Sequence, residues 1–112
     1  MTTAKTVLIV VNWNLKHHTA RCLRSLACLE QPHQVMVVDN GSIDGSVEYF
    51  HEHFPDISVL PLPANLGFGA ACNRAIQNLL SDPNWDYVFL VNNDATLHPE
   101  ALRHLLQAAQ EN

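Results

Sequence analysis

The chain has 112 residues and a net charge of -5, with 47% hydrophobic and 15% charged residues. This composition suits one packed domain and excludes a disordered chain. No cluster of Lys and Arg is present, so no nucleic-acid partner is expected. The apolar runs are too short to span a bilayer, and the N-terminus lacks the apolar segment of a signal peptide. We therefore expect a cytoplasmic domain, with any peripheral attachment to the inner membrane made through other parts or partners.

The first third of the chain alternates between strand and helix patterns. Residues 7–11 are a continuous run of Val, Leu and Ile, which is typical of a strand covered on both faces. Residues 15–29 then predict a helix, and residues 35–38 predict a second buried strand. The apolar stripe of that helix consists of Leu15, Thr19, Cys22, Leu23, Leu26 and Leu29.

The same alternation continues to the end of the chain. Residues 44–53 predict a short helix capped by Asp44 or Ser46. Residues 57–60 predict a weaker third strand, which Pro61 and Pro63 are expected to stop.

A clear helical pattern follows, then a fourth apolar run and a last helix. The helix covers residues 68–80, with an apolar stripe of Phe68, Ala71, Cys72, Ala75, Ile76, Leu79 and Leu80. Residues 87–91 predict a fourth buried strand, and Pro99 suits the first turn of the last helix.

The resulting βαβαβαβα order predicts an α/β fold of Rossmann-like type, with a parallel sheet and helices on both faces. Right-handed crossovers make 3-2-1-4 the natural strand order. Ligands of such sheets bind beyond the carboxyl ends of the strands, near the point where the strand order reverses. The residues that follow each strand are therefore the first candidates for a functional site.

Polar or glycine-containing segments follow all four strands. They include two carboxylates, Asp39 after the second strand and Asp94 after the fourth. Each segment alone has a plain structural explanation. Residues 39–42 could form a tight turn, residues 92–94 could simply end a strand, and the glycines of residues 67–69 could allow close packing. Their joint occurrence at one edge favours a binding site.

Four ordered strings resemble the motifs of the family 2 (GT-A type) glycosyltransferases. They are Val10-Val11-Asn12-Trp13-Asn14, residues 37–46 with Asp39-Asn40-Gly41-Ser42, residues 65–75 with Asn65-Leu66-Gly67-Phe68-Gly69, and Leu90-Val91-Asn92-Asn93-Asp94. The resemblance implies one nucleotide-sugar-binding domain over residues 5–112, of the GT-A (nucleotide-diphospho-sugar transferase) type and ending before the C-terminal part of the family's domain.

The resemblance also implies roles for particular residues. Asp39 is expected to contact the base, and Asp94 is expected to bind Mg²⁺ or Mn²⁺, with Asn92 as a second candidate ligand. The expected nucleotide-binding residues are Val11, Asn12, Trp13, Asp39, Asn65, Gly67, Asn73, Arg74 and Asn93. Because the D-x-D-like motif begins with Asn92, metal affinity without nucleotide is expected to be weak.

The implied activity is transfer of a hexose or deoxyhexose, with inversion, from a UDP- or dTDP-linked donor to a saccharide or lipid-linked acceptor. Many relatives have Arg where this chain has Cys72, whereas here Arg74 follows Asn73. The G-F-G-A-x-x-N-R form resembles members that transfer rhamnose from a thymidine diphosphate donor. The catalytic base is expected beyond Asn112, so no catalytic residue is assigned and the isolated chain is expected to be inactive.

Two other classes compete with this interpretation. A receiver-like signalling domain would need an acidic pair after the first strand, where this chain has Asn12-Trp13-Asn14. A non-catalytic nucleotide-binding or assembly module with a degenerate site remains the main alternative. If part of the domain is absent, the exposed truncated face is expected to support a homodimer.

Overall fold

Eight elements alternate along residues 4–111, the part of the chain that the computed structural model describes. The strands are β1 (Thr6–Asn12), β2 (Gln34–Asp39), β3 (Ser58–Pro61) and β4 (Tyr87–Val91). The helices are α1 (Lys16–Ala27), α2 (Ser46–His53), α3 (Phe68–Leu79) and α4 (Ala101–Glu111). The predicted βαβαβαβα order is confirmed.

The four strands form one sheet in the order β3-β2-β1-β4, and every neighbouring pair is parallel. The predicted 3-2-1-4 order is therefore confirmed. The register sets Asn12 beside Asp39 and Asp39 beside Pro61 at the carboxyl edge. The loops that leave this edge thus begin from neighbouring positions.

Each face of the sheet has its own apolar core. Leu8 and Val10 of β1 face α1, α2 and α4, whereas Val7 and Ile9 face α3. The first core also contains Leu23, Leu26, Val37, Phe50 and Leu102, and the second contains Met36, Val38, Ala71, Ala75 and Leu79. The central position of β1 explains its uninterrupted apolar run, because both of its faces are covered.

The prediction that β4 is buried on both faces was wrong. Tyr87, Phe89 and Val91 pack against the first core, but Val88 and Leu90 on the opposite face are 41% and 51% exposed. The physical reason is position: β4 is an outer strand, and the side chains that α3 contributes to the core on that face pack mainly over β1 and β2.

The ends of three elements also differ from the sequence prediction. Pro61 belongs to β3 because an outer strand can place a residue without an N–H group on its unpaired side. Pro99 precedes α4, and its carbonyl oxygen accepts a hydrogen bond of 3.0 Å from the Glu30 N–H. The capping residue of α2 is Gly45, although the Asp44 carboxylate still accepts a 3.0 Å hydrogen bond from the Ser46 N–H.

None of the helices in the described part of the chain is long and apolar enough to cross a lipid bilayer.

Candidate functional site

An open cavity of about 480 Å³ lies at the carboxyl edge of the sheet. Its wall is built from the segments that follow all four strands: Val11, Trp13, Leu15, Asn40, Asn65, Gly67, Phe68, Asn92, Asn93 and Asp94. This volume is in the range of small-molecule sites. The structure therefore brings most of the predicted site residues to one place.

Leu15 and Phe68 were predicted to be core residues of their helices, and this prediction was wrong. They are 45% and 54% exposed, and both line the cavity. Each lies where a helix begins, so its side chain points past the end of the sheet rather than onto it. Together with the half-exposed ring of Trp13, they give the cavity an apolar rim. Leu80, at the far end of α3, is also exposed and does not belong to the core as predicted.

Asp39 lies behind the cavity and is 1% exposed. Its Oδ1 accepts hydrogen bonds from Asn12 Nδ2 at 2.9 Å and Ser42 Oγ at 2.7 Å, while Oδ2 accepts the Ser42 N–H at 2.9 Å. The carboxylate thus closes the turn that follows β2, as the plain structural explanation requires. Because Oδ2 accepts only one of these bonds, it keeps capacity for a further donor. Contact with a base stays a prediction.

Asn12 does not line the cavity, unlike its neighbours Val11 and Trp13. Its side chain is fully buried and donates from Nδ2 to Asp39, while its Oδ1 accepts a hydrogen bond of 2.5 Å from Thr19 Oγ1. Any effect of Asn12 on a ligand must therefore act through the residues that it contacts and not through direct contact with the ligand.

The loop over residues 62–67 is held by Asn40, a residue to which the sequence assigned no role of its own. Asn40 Oδ1 accepts the Leu66 N–H at 2.8 Å, and Asn40 Nδ2 donates to the Gly67 carbonyl at 3.2 Å. Asn65 Oδ1 in turn accepts the Gly67 N–H at 2.9 Å. Both ends of the buried Asn40 amide thus fix the segment that opens α3.

The predicted residues Asn73 and Arg74 are not brought to the cavity. Both are exposed on α3, beyond its first turn, and neither lines the cavity at the carboxyl edge. Their role in nucleotide binding stays a prediction.

The segment after β4 places one carboxylate at the cavity. Asp94 is exposed, and its side chain makes no hydrogen bond or ion pair with any residue in the described range. Asn93 Nδ2 donates to Thr19 Oγ1 at 3.2 Å, and the Asn92 carbonyl accepts from the Cys22 thiol at 3.6 Å. Burial, with a smaller contribution from the Asp94 charge, raises the pKa of Cys22 to about 11, so the thiol stays protonated at neutral pH.

Residues 4–111 contain no group of three or more His, Cys, Asp or Glu side chains that could hold a metal ion. None of the described residues that line the cavity is Lys or Arg. An anionic ligand there would be stabilised by an accompanying cation, and a cation would need ligand oxygens besides the Asp94 carboxylate. The two requirements are complementary.

Known glycosyltransferases share the sequence pattern and the fold of this chain. The sequence profile of Glycosyl transferase family 2 matches residues 7–112. An N-acetylglucosaminyl-diphospho-decaprenol L-rhamnosyltransferase of Mycobacterium tuberculosis is 35% identical over 111 residues, which cover 91% of this chain and 36% of the relative. The chain thus spans about a third of the length of the curated relatives it matches.

Two solved structures illustrate the similarity of fold. S. aureus TarS 1–349 in complex with UDP-GlcNAc is 25% identical with a TM-score of 0.80, covering 96% of this chain and 31% of TarS. The mannosyltransferase PcManGT from Pyrobaculum calidifontis, in complex with GDP-Man and Mn²⁺, has a TM-score of 0.76. It is 20% identical over 96% of this chain and 32% of its own, and this level of identity supports the fold alone. Because the family profile covers nearly the whole sequence, the chain belongs to glycosyl transferase family 2.

Proposed function

We propose that this chain is the donor-binding part of a glycosyltransferase that transfers a deoxyhexose, with inversion, from a dTDP-linked donor. The observation that carries the proposal is the cavity, because the segments after all four strands build its wall. The 35% identity to a relative named a rhamnosyltransferase supports the choice of donor sugar. The 25% identity to TarS, whose structure contains UDP-GlcNAc, keeps a UDP-linked donor as the second candidate.

The residues of the cavity suit the parts of such a donor. Trp13 and Phe68 offer exposed aromatic surface for the base or the apolar face of a sugar. Asn65 and Asn93 offer amide groups for hydroxyls or phosphate oxygens. Asp39 is not part of the cavity wall, but behind it the Oδ2 atom keeps acceptor capacity for the N3–H group that thymine and uracil share.

We propose that Asp94 holds Mg²⁺ or Mn²⁺ together with diphosphate oxygens, with Asn92 as a further candidate ligand. The donor set fits, because hard cations take oxygen ligands and often use only one or two protein carboxylates beside phosphate. Asp94 is exposed at the cavity and has no competing partner among residues 4–111. When bound, the metal would stabilise the negative charge that builds on the leaving diphosphate.

The acceptor and the general base belong to the whole protein, and we place both outside these 112 residues. Inverting transfer forms a bond from the acceptor oxygen to the anomeric carbon as the bond to the diphosphate breaks, and a base must take the hydroxyl proton. Among the described residues that line the cavity, Asp94 is the only Asp, Glu or His, and it is assigned to the metal. The name of the mycobacterial relative supports a lipid-linked saccharide as acceptor.

Calorimetric titration with dTDP and UDP, in Mn²⁺ and in chelator, tests the proposal. We expect dTDP to bind, and Mn²⁺ to raise its affinity by about tenfold or more, equivalent to about 1.4 kcal/mol. A radiolabelled-donor assay should detect no useful transfer by the chain alone. If neither nucleotide binds with metal present, the chain is a module with a degenerate site instead.

We also propose that two copies of the chain associate through β4. This strand is an outer one, contains no Lys or Pro, and exposes Val88 and Leu90 on one face. Sedimentation velocity should show dimers of the parent chain and a shift to monomer for Leu90→Lys. The control Leu105→Lys changes a similarly exposed residue of α4 and should leave the dimer intact. A parent chain that is monomeric over a wide concentration range would contradict the proposal.

A further inference from the structure

A series of three hydrogen bonds, two buried and the one from Asn93 part-buried, joins the two ends of the candidate site. Asn93 Nδ2, after β4, donates to Thr19 Oγ1 of α1 at 3.2 Å. Thr19 Oγ1 donates to Asn12 Oδ1 of β1 at 2.5 Å, and Asn12 Nδ2 donates to Asp39 Oδ1 of β2 at 2.9 Å. Thr19 and Asn12 are both fully buried, so no ligand in the cavity can replace these bonds.

The direction of these hydrogen bonds is fixed by the chemistry of the Thr19 hydroxyl, which takes part in two of them. A threonine hydroxyl has one proton, and Thr19 uses it on Asn12, which leaves its oxygen as the acceptor for Asn93. In all three bonds the donor therefore lies on the Asn93 side and the acceptor on the Asp39 side. Such a sequence of bonds is mutually strengthening in a low-dielectric interior.

The same direction fixes the orientation of the side-chain amides of Asn12 and Asn93. Asn12 must present its NH₂ group to Asp39, because its oxygen is held by Thr19. Asn93 must present its NH₂ group to Thr19, so its Oδ1 is left without a partner among the described residues, on a side chain that lines the cavity. A change in the position of Asp39 can thus alter the position of Asn93, and the reverse, through the Thr19 hydroxyl.

We propose that Thr19 is a positioning residue that couples the base-binding end of the site, at Asp39, to the diphosphate and metal end, at Asn93 and Asp94. Thr19 touches no ligand itself and acts through Asn12 and Asn93. The inference rests on the proposed function, because it assigns a nucleotide to the cavity. If Thr19 couples the two ends, loss of its hydroxyl weakens both the discrimination between bases and the gain in nucleotide affinity from the metal.

UDP and CDP, titrated with and without Mg²⁺, provide the test. They differ at the edge of the base, where uracil N3–H is a donor and cytosine N3 is an acceptor. We expect Thr19→Val to lower UDP affinity about tenfold, because a buried acceptor on Asn12 loses its donor. The preference for UDP over CDP and the increment from Mg²⁺ should both shrink, and Thr19→Ser, which retains the hydroxyl, should restore both.

Thr6 offers a matched control. It is a second buried threonine, at the start of β1, and its Oγ1 is the only buried side-chain polar atom of the described residues without a hydrogen-bond partner. Thr6→Val removes the same hydroxyl without breaking a bond, so UDP affinity, base preference and the Mg²⁺ increment should stay unchanged.

A measurement on the parent chain tests the coupling without any substitution. The side-chain amide signals of Asn12 in a ¹⁵N NMR spectrum should shift when UDP binds and shift again when Mg²⁺ is added, although Asn12 does not line the cavity. If the parent chain binds neither UDP nor dTDP in the presence of Mg²⁺, the proposed function fails. The coupling alone is overturned by a different result: the parent chain binds UDP with a Mg²⁺ increment, but Thr19→Val keeps both the preference for UDP over CDP and the Mg²⁺ increment, and Mg²⁺ leaves the Asn12 signals in place.

Discussion

Replacement of Gly41 by Ala is expected to destabilise the protein and to abolish nucleotide binding. Gly41 has φ +77°, and a Cβ atom there would lie 2.6 Å from the Cα and carbonyl carbon of Ala64 and 2.9 Å from the Asn65 nitrogen. These are backbone atoms of the loop that lines the cavity, so the loop itself must move. The positive φ alone costs about 1–2 kcal/mol for a non-glycine residue, and the steric conflict adds to it.

Gly45→Ala is the matched control. Gly45 also has a positive φ, +81°, but the nearest atom to its added Cβ would be the flexible Lys16 Nζ at 3.8 Å. This variant should lose only about 1–2 kcal/mol of unfolding free energy and keep nucleotide affinity. Urea denaturation and calorimetric titration of both variants provide the measurement. Equal losses of stability in the two variants, with binding intact in both, would contradict the importance of the close approach between Gly41 and Ala64.

The fold was predictable because its strands are marked by local patterns. The run of apolar residues over β1 and the helical stripe of α3 depend only on the spacing of neighbours. Given this alternation, general rules of connection leave few strand orders, and the natural order 3-2-1-4 is confirmed. The carboxyl edge, and with it the position of Asp94, followed from the same rules.

Features that depend on contacts between distant segments were not predictable in the same way. The exposure of Val88 and Leu90 depends on which strands α3 covers, and no pattern within β4 shows this. Thr19 was placed in an apolar stripe, correctly as to burial, but its partners lie 7 and 74 positions away. The sequence around Asn40 indicates only a turn, whereas the Asn40 side chain holds a loop 26 and 27 residues further along.

Asp39 and Asp94 are expected to have separable roles in one nucleotide site. Asp94 is exposed and has no partner among residues 4–111, so Asp94→Ala should change stability by no more than about 0.5 kcal/mol. It should abolish the affinity gained from Mn²⁺ and leave the metal-free affinity for dTDP nearly unchanged. Asp39 is buried and accepts three hydrogen bonds, so Asp39→Ala should cost on the order of 1–3 kcal/mol of stability. It should weaken dTDP binding equally with metal and with chelator.

Asp56→Ala serves as the control for the lost charge, because Asp56 is exposed just before β3, at the opposite edge of the sheet. It should leave affinity and the Mn²⁺ increment intact. Calorimetric titrations in Mn²⁺ and in chelator, with urea denaturation of each variant, separate the outcomes. If Asp39 only closes its turn, Asp39→Ala will alter stability while the folded protein binds dTDP as the parent does. If the Asp94 variant keeps the Mn²⁺ increment, the metal is held elsewhere, and Asn92 at the same wall of the cavity becomes the next residue to substitute.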